Sequence, residues 1–125
     1  MSDYLENEIL DHVLSTGAYT MPSTIYVGLS TGSFGDDDSG TELSGSGYTR
    51  QSITFAAASS ASAASSATVT FPTATGSWGS VSHYGIYDAS TSGNLLIHGA
   101  FSAAKTIGSG DVLRINSGDL TVTAA

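Results

Sequence analysis

The sequence predicts a mainly β fold: an antiparallel β-sandwich or barrel of about seven short strands, with one N-terminal amphipathic helix. Three observations predict it. A helical period is confined to the first sixteen residues. The rest of the chain alternates apolar and polar residues in short runs broken by Gly, Ser and Asp turns. Nothing helical separates consecutive strands, which disfavours a parallel α/β arrangement. At 125 residues the chain is expected to form a single domain spanning residues 1–125.

The helix is expected over residues 3–16. Leu5, Ile9 and Val13, with Leu10 and Leu14, recur at i and i+4 and make one apolar stripe, while Glu6, Asn7, Glu8 and Asp11 fill the other face. Asp3 and Glu6 have capping-box spacing, the first turn is acidic as the helix dipole favours, and Gly17 is the expected residue after the C-cap. An isolated helix of this length is marginal in water, so the stripe must pack on something. Leu5, Ile9, Leu10, Val13 and Leu14 are therefore expected to bury against the sandwich of the same subunit or of a neighbouring one.

Met21-Pro22 leads into a strand over 24–30, where Ile25, Val27 and Leu29 alternate with Tyr26 and Gly28. Residues 31–47 form an acidic Gly/Ser loop whose large apolar residues are Phe34 and Leu43, long enough to be either mobile or ordered by a partner. A second strand is expected over 48–55. The Ala/Ser-rich tract 56–67 lacks a bulky stripe and reads as an extended crossing. Further strands are expected over 68–71, 80–88, 94–101, 111–116 and 119–123, and the turn at Ser90–Gly93 predicts an antiparallel hairpin. Ser109-Gly-Asp and Ser117-Gly-Asp repeat one turn chemistry before each of the last two strands.

The formal net charge is −8, and only Arg50, Lys105 and Arg114 are basic. Nucleic acid and anionic membrane surfaces are therefore not expected partners, since both require clustered cations. Charged residues make up 11% of the chain, against about 25% in ordinary soluble domains, so Ser, Thr and Gly carry solubility. There is no cysteine, hence no disulfide framework and no thiolate metal site. The N-terminal residues have neither a basic leader nor a long apolar run, so no signal peptide or membrane span is expected.

No catalytic constellation, cofactor or metal site is expected. Asp36-Asp37-Asp38 with Glu42 offers oxygen ligands suited to Ca²⁺ but not EF-hand spacing, and a solvated turn explains the cluster equally well. His12, His83 and His98 are dispersed. Asp88 could pair with Asp111 or Asp119 as in a glycosidase, but no motif names a reacting group, and Gly-x-Ser-x-Gly is absent. Gly32-Ser-Phe-Gly35 and Gly45-Ser-Gly47 lack the lysine and helix of a phosphate cradle. Tyr19, Tyr26, Tyr48, Trp78, Tyr84, Tyr87 and Phe101 suit either core packing or an interface, and Trp78, between Gly76 and Gly79 at a strand entry, is the foremost candidate for a packing anchor.

Several stretches together resemble a family of small tailed-bacteriophage virion proteins: Tyr4–His12, Ile25–Thr31, Gly47–Gln51, Val69–Thr75, Trp78-Gly with His83–Asp88, and Ser117–Thr123. They span nearly the whole chain in order, with the 32–47 loop and the Ala/Ser tract as variable parts. Proteins of this kind are commonly labelled tail-fibre proteins and look equally like head-decoration or cement proteins. The resemblance implies a non-enzymatic structural role in the virion, assembled in the bacterial cytoplasm, with copies of itself and the major capsid protein or other virion proteins as partners. It supplies no catalytic residues. Capsid decoration as a homo-oligomer is the leading expectation, because the chain encodes no elongated shaft. A fibre base or tip component is the alternative. A carbohydrate- or receptor-binding module is a further one, with Trp78, Asp88 and Asn94 as its candidate platform. The expected interface residues are Leu5, Ile9, Leu10, Val13, Leu14 and Trp78.

Overall fold

The computed structural model describes residues 1–123. In chain order its elements are α1 (Asp3–Val13), β1 (Ile25–Ser30), β2 (Gln51–Ile53), β3 (Ser62–Ala64), β4 (Val69–Thr70), β5 (Gly79–Tyr87), β6 (Leu95–Ile107), β7 (Arg114–Ile115) and β8 (Thr121–Thr123). The protein is mainly β, with one N-terminal helix and antiparallel pairing throughout. A four-stranded sheet has the order β2-β1-β5-β6, and two ribbons, β3-β8 and β4-β7, complete the strands.

Alternation along β1 and β5 builds the main core. Val27 lies opposite Ile86 and Leu29 opposite Tyr84, and all four pack with Val69, Phe71, Leu113, Ile115 and Leu120 from the ribbon side. Trp78, Phe71 and Tyr48 form an aromatic cluster there. The Trp78 ring stands edge-on to Tyr48 at 5.6 Å and to Phe71 at 6.4 Å, and its Nε1–H donates to Ser46 O at 2.9 Å. The indole thus has an apolar body inside and a satisfied polar tip.

The expected hairpin is present: Tyr87 pairs with Leu95 across the turn, and β6 runs on to Ile107, six residues beyond its expected end. The Ala/Ser tract is extended and holds β3, which pairs with β8. The two Ser-Gly-Asp turns do the same work. Gly110 (φ 88°) and Gly118 (φ 85°) adopt left-handed backbone that favours glycine, and their N–H groups donate to Ala74 O and Ser65 O.

The second face of the sheet is also covered, which the strand alternation did not predict. The 31–47 loop lies across β1 and β5 and is held there by the chain's own side chains. Phe34 is fully buried with Tyr87 and Leu95. Ser30 Oγ donates to Thr41 O at 2.6 Å. Where β2 stops pairing, Tyr48 Oη takes the Leu29 N–H and Leu43 N–H donates to Leu29 O. Both backbone groups of Leu29 therefore have a partner without a further strand.

Candidate assembly surface

The helix begins at Asp3 as expected, but its N-cap lies one residue earlier than expected. Ser2, in extended backbone (ψ 160°), is the N-cap and accepts from Leu5 N–H, so Asp3 and Glu6 fall within the first turn. Ser2 is also a clamp. Its N–H donates to Leu96 O at 2.8 Å, its hydroxyl donates to Leu95 O, and the neighbouring Asp3 N–H donates to Asp36 O. The helix start is thereby tied to β6 and to the loop. Its end is set by Ser15, not Gly17. Ser15 takes a left-handed conformation (φ 63°), its N–H reaches His12 O, and Thr16 N–H reaches Asp11 O, the bond pattern of a Schellman cap.

Of the stripe expected to bury, Leu5 is buried and Ile9 half-buried, whereas Leu10, Val13 and Leu14 are 56%, 68% and 66% exposed. Burial of these three on the same subunit is therefore not what the fold does. The clamp at Ser2 holds the first turn, and the last large apolar side chains of the helix lie in solvent. Met21, in the connection to β1, is 80% exposed. Beside it an open groove of about 680 Å³ runs past Leu5, Pro22, Ile25, Phe55 and Leu96, and no charged residue lines it.

Trp78 is placed differently. It is 5% exposed within its own chain and belongs to the core, so it offers no surface to a partner or a sugar. The other platform candidates close a turn: Asp88 accepts from both the backbone N–H and the side-chain amide of Asn94. Asp111 accepts from Gly108 N–H. The acidic loop is consumed by separate contacts, Asp36 with His98 at 2.7 Å, Asp37 with Ser39 N–H and Asp38 with Tyr87 Oη. The Ser39 bonds hold the Asp37 carboxyl below the usual range. His12 and His83 each make a local contact, to Tyr19 N–H and Ser82 Oγ. No group of three potential metal ligands forms among the described residues. Among the described residues no helix is long and apolar enough to cross a membrane.

The cluster that sequence reasoning missed is Glu42–Arg50–Tyr48–Tyr87. Arg50 makes a forked pair with Glu42 (2.9 and 2.8 Å), donates to Ala89 O and Ser92 O, and lies 3.6 Å over the Tyr87 ring. Tyr48 Oη donates to Glu42. Burial first, and the neighbouring carboxylate second, push the Tyr48 phenol far above its ordinary value; Tyr87 is raised likewise, by burial and Asp38. Phe34 and Leu43, stranded in a polar loop, were the available signal that this loop packs. This arrangement is a fastening, with its polar atoms spent on each other.

A family model described as Podophage GP4 fiber I protein gp80 matches residues 1–123. The chain belongs to this family. The fiber I family is one of virion structural proteins. No curated protein sequence matches the chain. Membership of the fiber I family implies contact with other virion components, and Leu10, Val13 and Leu14 are among the large apolar side chains the chain exposes.

Proposed function

We propose that this protein is a non-enzymatic fibre component of a phage virion that self-associates through the outer face of α1. The exposure of Leu10, Val13 and Leu14 carries this reading. Burying three such side chains is worth roughly 1.5–3 kcal/mol each. Association costs about 4–15 kcal/mol in lost freedom, and the upper part of that range calls for further apolar area. Met21 and the uncharged groove beside it supply that area. Leu5 and Ile9, at the clamped end, are already buried and half-buried within the chain itself and add little to that face. Copies assembled in the host cytoplasm then attach to other virion proteins.

The test is the triple variant Leu10→Ser, Val13→Ser, Leu14→Ser, examined by light scattering and circular dichroism. The expected result is an unchanged β spectrum and a monomer where the parent chain is an oligomer. A monomeric parent, or an oligomer that survives the three substitutions, overturns the reading.

The compact fold favours a second reading. The described residues contain no shaft-like segment, and α1 spans eleven residues, so capsid decoration fits the shape as a fibre base does. Particle reconstruction separates them: density over the capsomers supports decoration, and density on the tail or a fibre stalk supports the fibre.

A further inference from the structure

We propose that the cleft beneath the irregular part of β6 binds a carboxylated sugar. Between the paired residues Val81–Lys105 and His83–Ala100, β5 contributes Ser82 alone while β6 contributes Phe101–Ala104. Phe101, Ser102 and Ala103 of this bulge line a cleft of about 310 Å³. That size sits at the lower end of small-molecule sites, which span about 300–1,000 Å³.

Charge is what distinguishes the cleft. The chain has three basic residues against eleven acids. Arg50 is spent inside the fold, and the remaining two, Lys105 and Arg114, both line this cleft. Neither is in an ion pair among the described residues, and Arg114 makes only a long 3.4 Å bond to Thr70. With Asp119 beside them the cleft carries one net positive charge on a strongly acidic protein. A long-range field would repel a polyanion, so the site suits a ligand with one carboxylate.

The remaining lining chooses the body of that ligand. Val81 and Leu113 are buried and make an apolar floor. Phe101, half-buried and tilted against Tyr84 with ring centroids 5.4 Å apart, gives a flat face for a pyranose ring to lie on. Asp119 is an acceptor for sugar hydroxyls, and Arg114 offers the planar fork that matches a carboxylate. This site is remote in residues from α1, so it does not depend on the proposed self-association.

The experiment is an NMR titration of the full isotope-labelled chain with D-galacturonate, D-galactose and inorganic phosphate. Expected are saturable shifts at Phe101–Lys105 and Leu113–Ile115 with galacturonate, and none with galactose. Lys105→Ser with Arg114→Ser should weaken galacturonate by about tenfold or more, an effect of at least 1.4 kcal/mol. Phe101→Ala should weaken galacturonate without altering any response to phosphate. No saturable shift with galacturonate overturns the proposal. Equal responses to galacturonate and phosphate, insensitive to Phe101→Ala, show a general anion patch and overturn it too. Equal binding of galactose removes the role of charge. The double variant alters two exposed side chains, so its fold is checked by the unchanged spectrum away from the cleft.

Discussion

Gly28 and Gly85 stand opposite one another across β1 and β5 and leave a bare strip on the sheet. The loop uses that strip. A Cβ on Gly28 would stand 2.6 Å from Glu42 Oε2, and one on Gly85 would stand 3.0 Å from Leu95 and 3.3 Å from the Phe34 ring. The missing side chains are what let a polar loop lie flat on a sheet and bury an aromatic ring. Gly85→Ala should therefore destabilise by about 1–3 kcal/mol, the usual range for overpacking. Urea unfolding measures it, and a midpoint equal to that of the parent would show that the loop yields freely.

Removing Glu42 should be more damaging than removing an exposed acid. Its carboxylate faces Arg50, whose side chain is 8% exposed, and Tyr48. Glu42→Ala leaves a buried guanidinium without its counter-charge, a loss of about 3 kcal/mol. Replacing both partners, Glu42→Leu with Arg50→Met, should recover much of that loss. Equal stabilities for the single and double variants would count against a buried pair.

Alkaline pH should unfold the protein. The Tyr48 and Tyr87 phenols have folded-state pKa values raised above the ordinary 10.0. Above pH 10 the unfolded chain releases protons that the folded chain keeps, so stability is full below that pH and falls as pH rises beyond it. Tyrosinate absorbance should rise in two stages, the second coinciding with loss of β signal. A single stage that leaves the fold intact would contradict this burial.

Ser2→Ala should loosen α1 from the body of the protein. It removes the N-cap and the hydroxyl bond to Leu95 O together, while the backbone bond to Leu96 O remains. About 1–2 kcal/mol is expected. Amide exchange within Tyr4–Val13 should accelerate while that of β1 and β5 stays slow; uniform acceleration would mean the helix is not a separate unit.

Ala61→Gly should stabilise. Ser60 and Ala61 form the two-residue turn between Ser59 and Ser62, and both have left-handed backbone, φ 51° and 61°. Such turns favour Asn-Gly, and relieving the left-handed penalty at Ala61 is worth about 1 kcal/mol. A higher thermal midpoint checks it, and a lower one would place the strain elsewhere.

The architecture was legible because its signals are local. Period-two alternation in Ile25–Leu29, the Ser90–Gly93 turn and the i, i+4 stripe of Leu5–Leu14 each involve residues within a few positions of one another. They specified a mainly β antiparallel chain with one N-terminal helix. The loop fastening was not legible, because Phe34 meets Tyr87, Glu42 meets Arg50 and Asp36 meets His98 only after β1, β2, β5 and β6 have aligned.

The amphipathic stripe is the instructive case. Sequence by itself determined that Leu5, Ile9, Leu10, Val13 and Leu14 recur at i and i+4, an apolar arc that at about 100° per residue covers half the helix circumference. Which part of that arc is covered depends on which side of the helix meets the sheet, which no local pattern encodes. Only the tertiary structure decided it: Ser2 bonds to β6 at Leu95 and Leu96, the first turn is held down, and Leu10, Val13 and Leu14 are left in solvent. Trp78 went the other way, drawn into the core by Tyr48 and Phe71 because a large ring with a single donor is satisfied there by one carbonyl, Ser46 O.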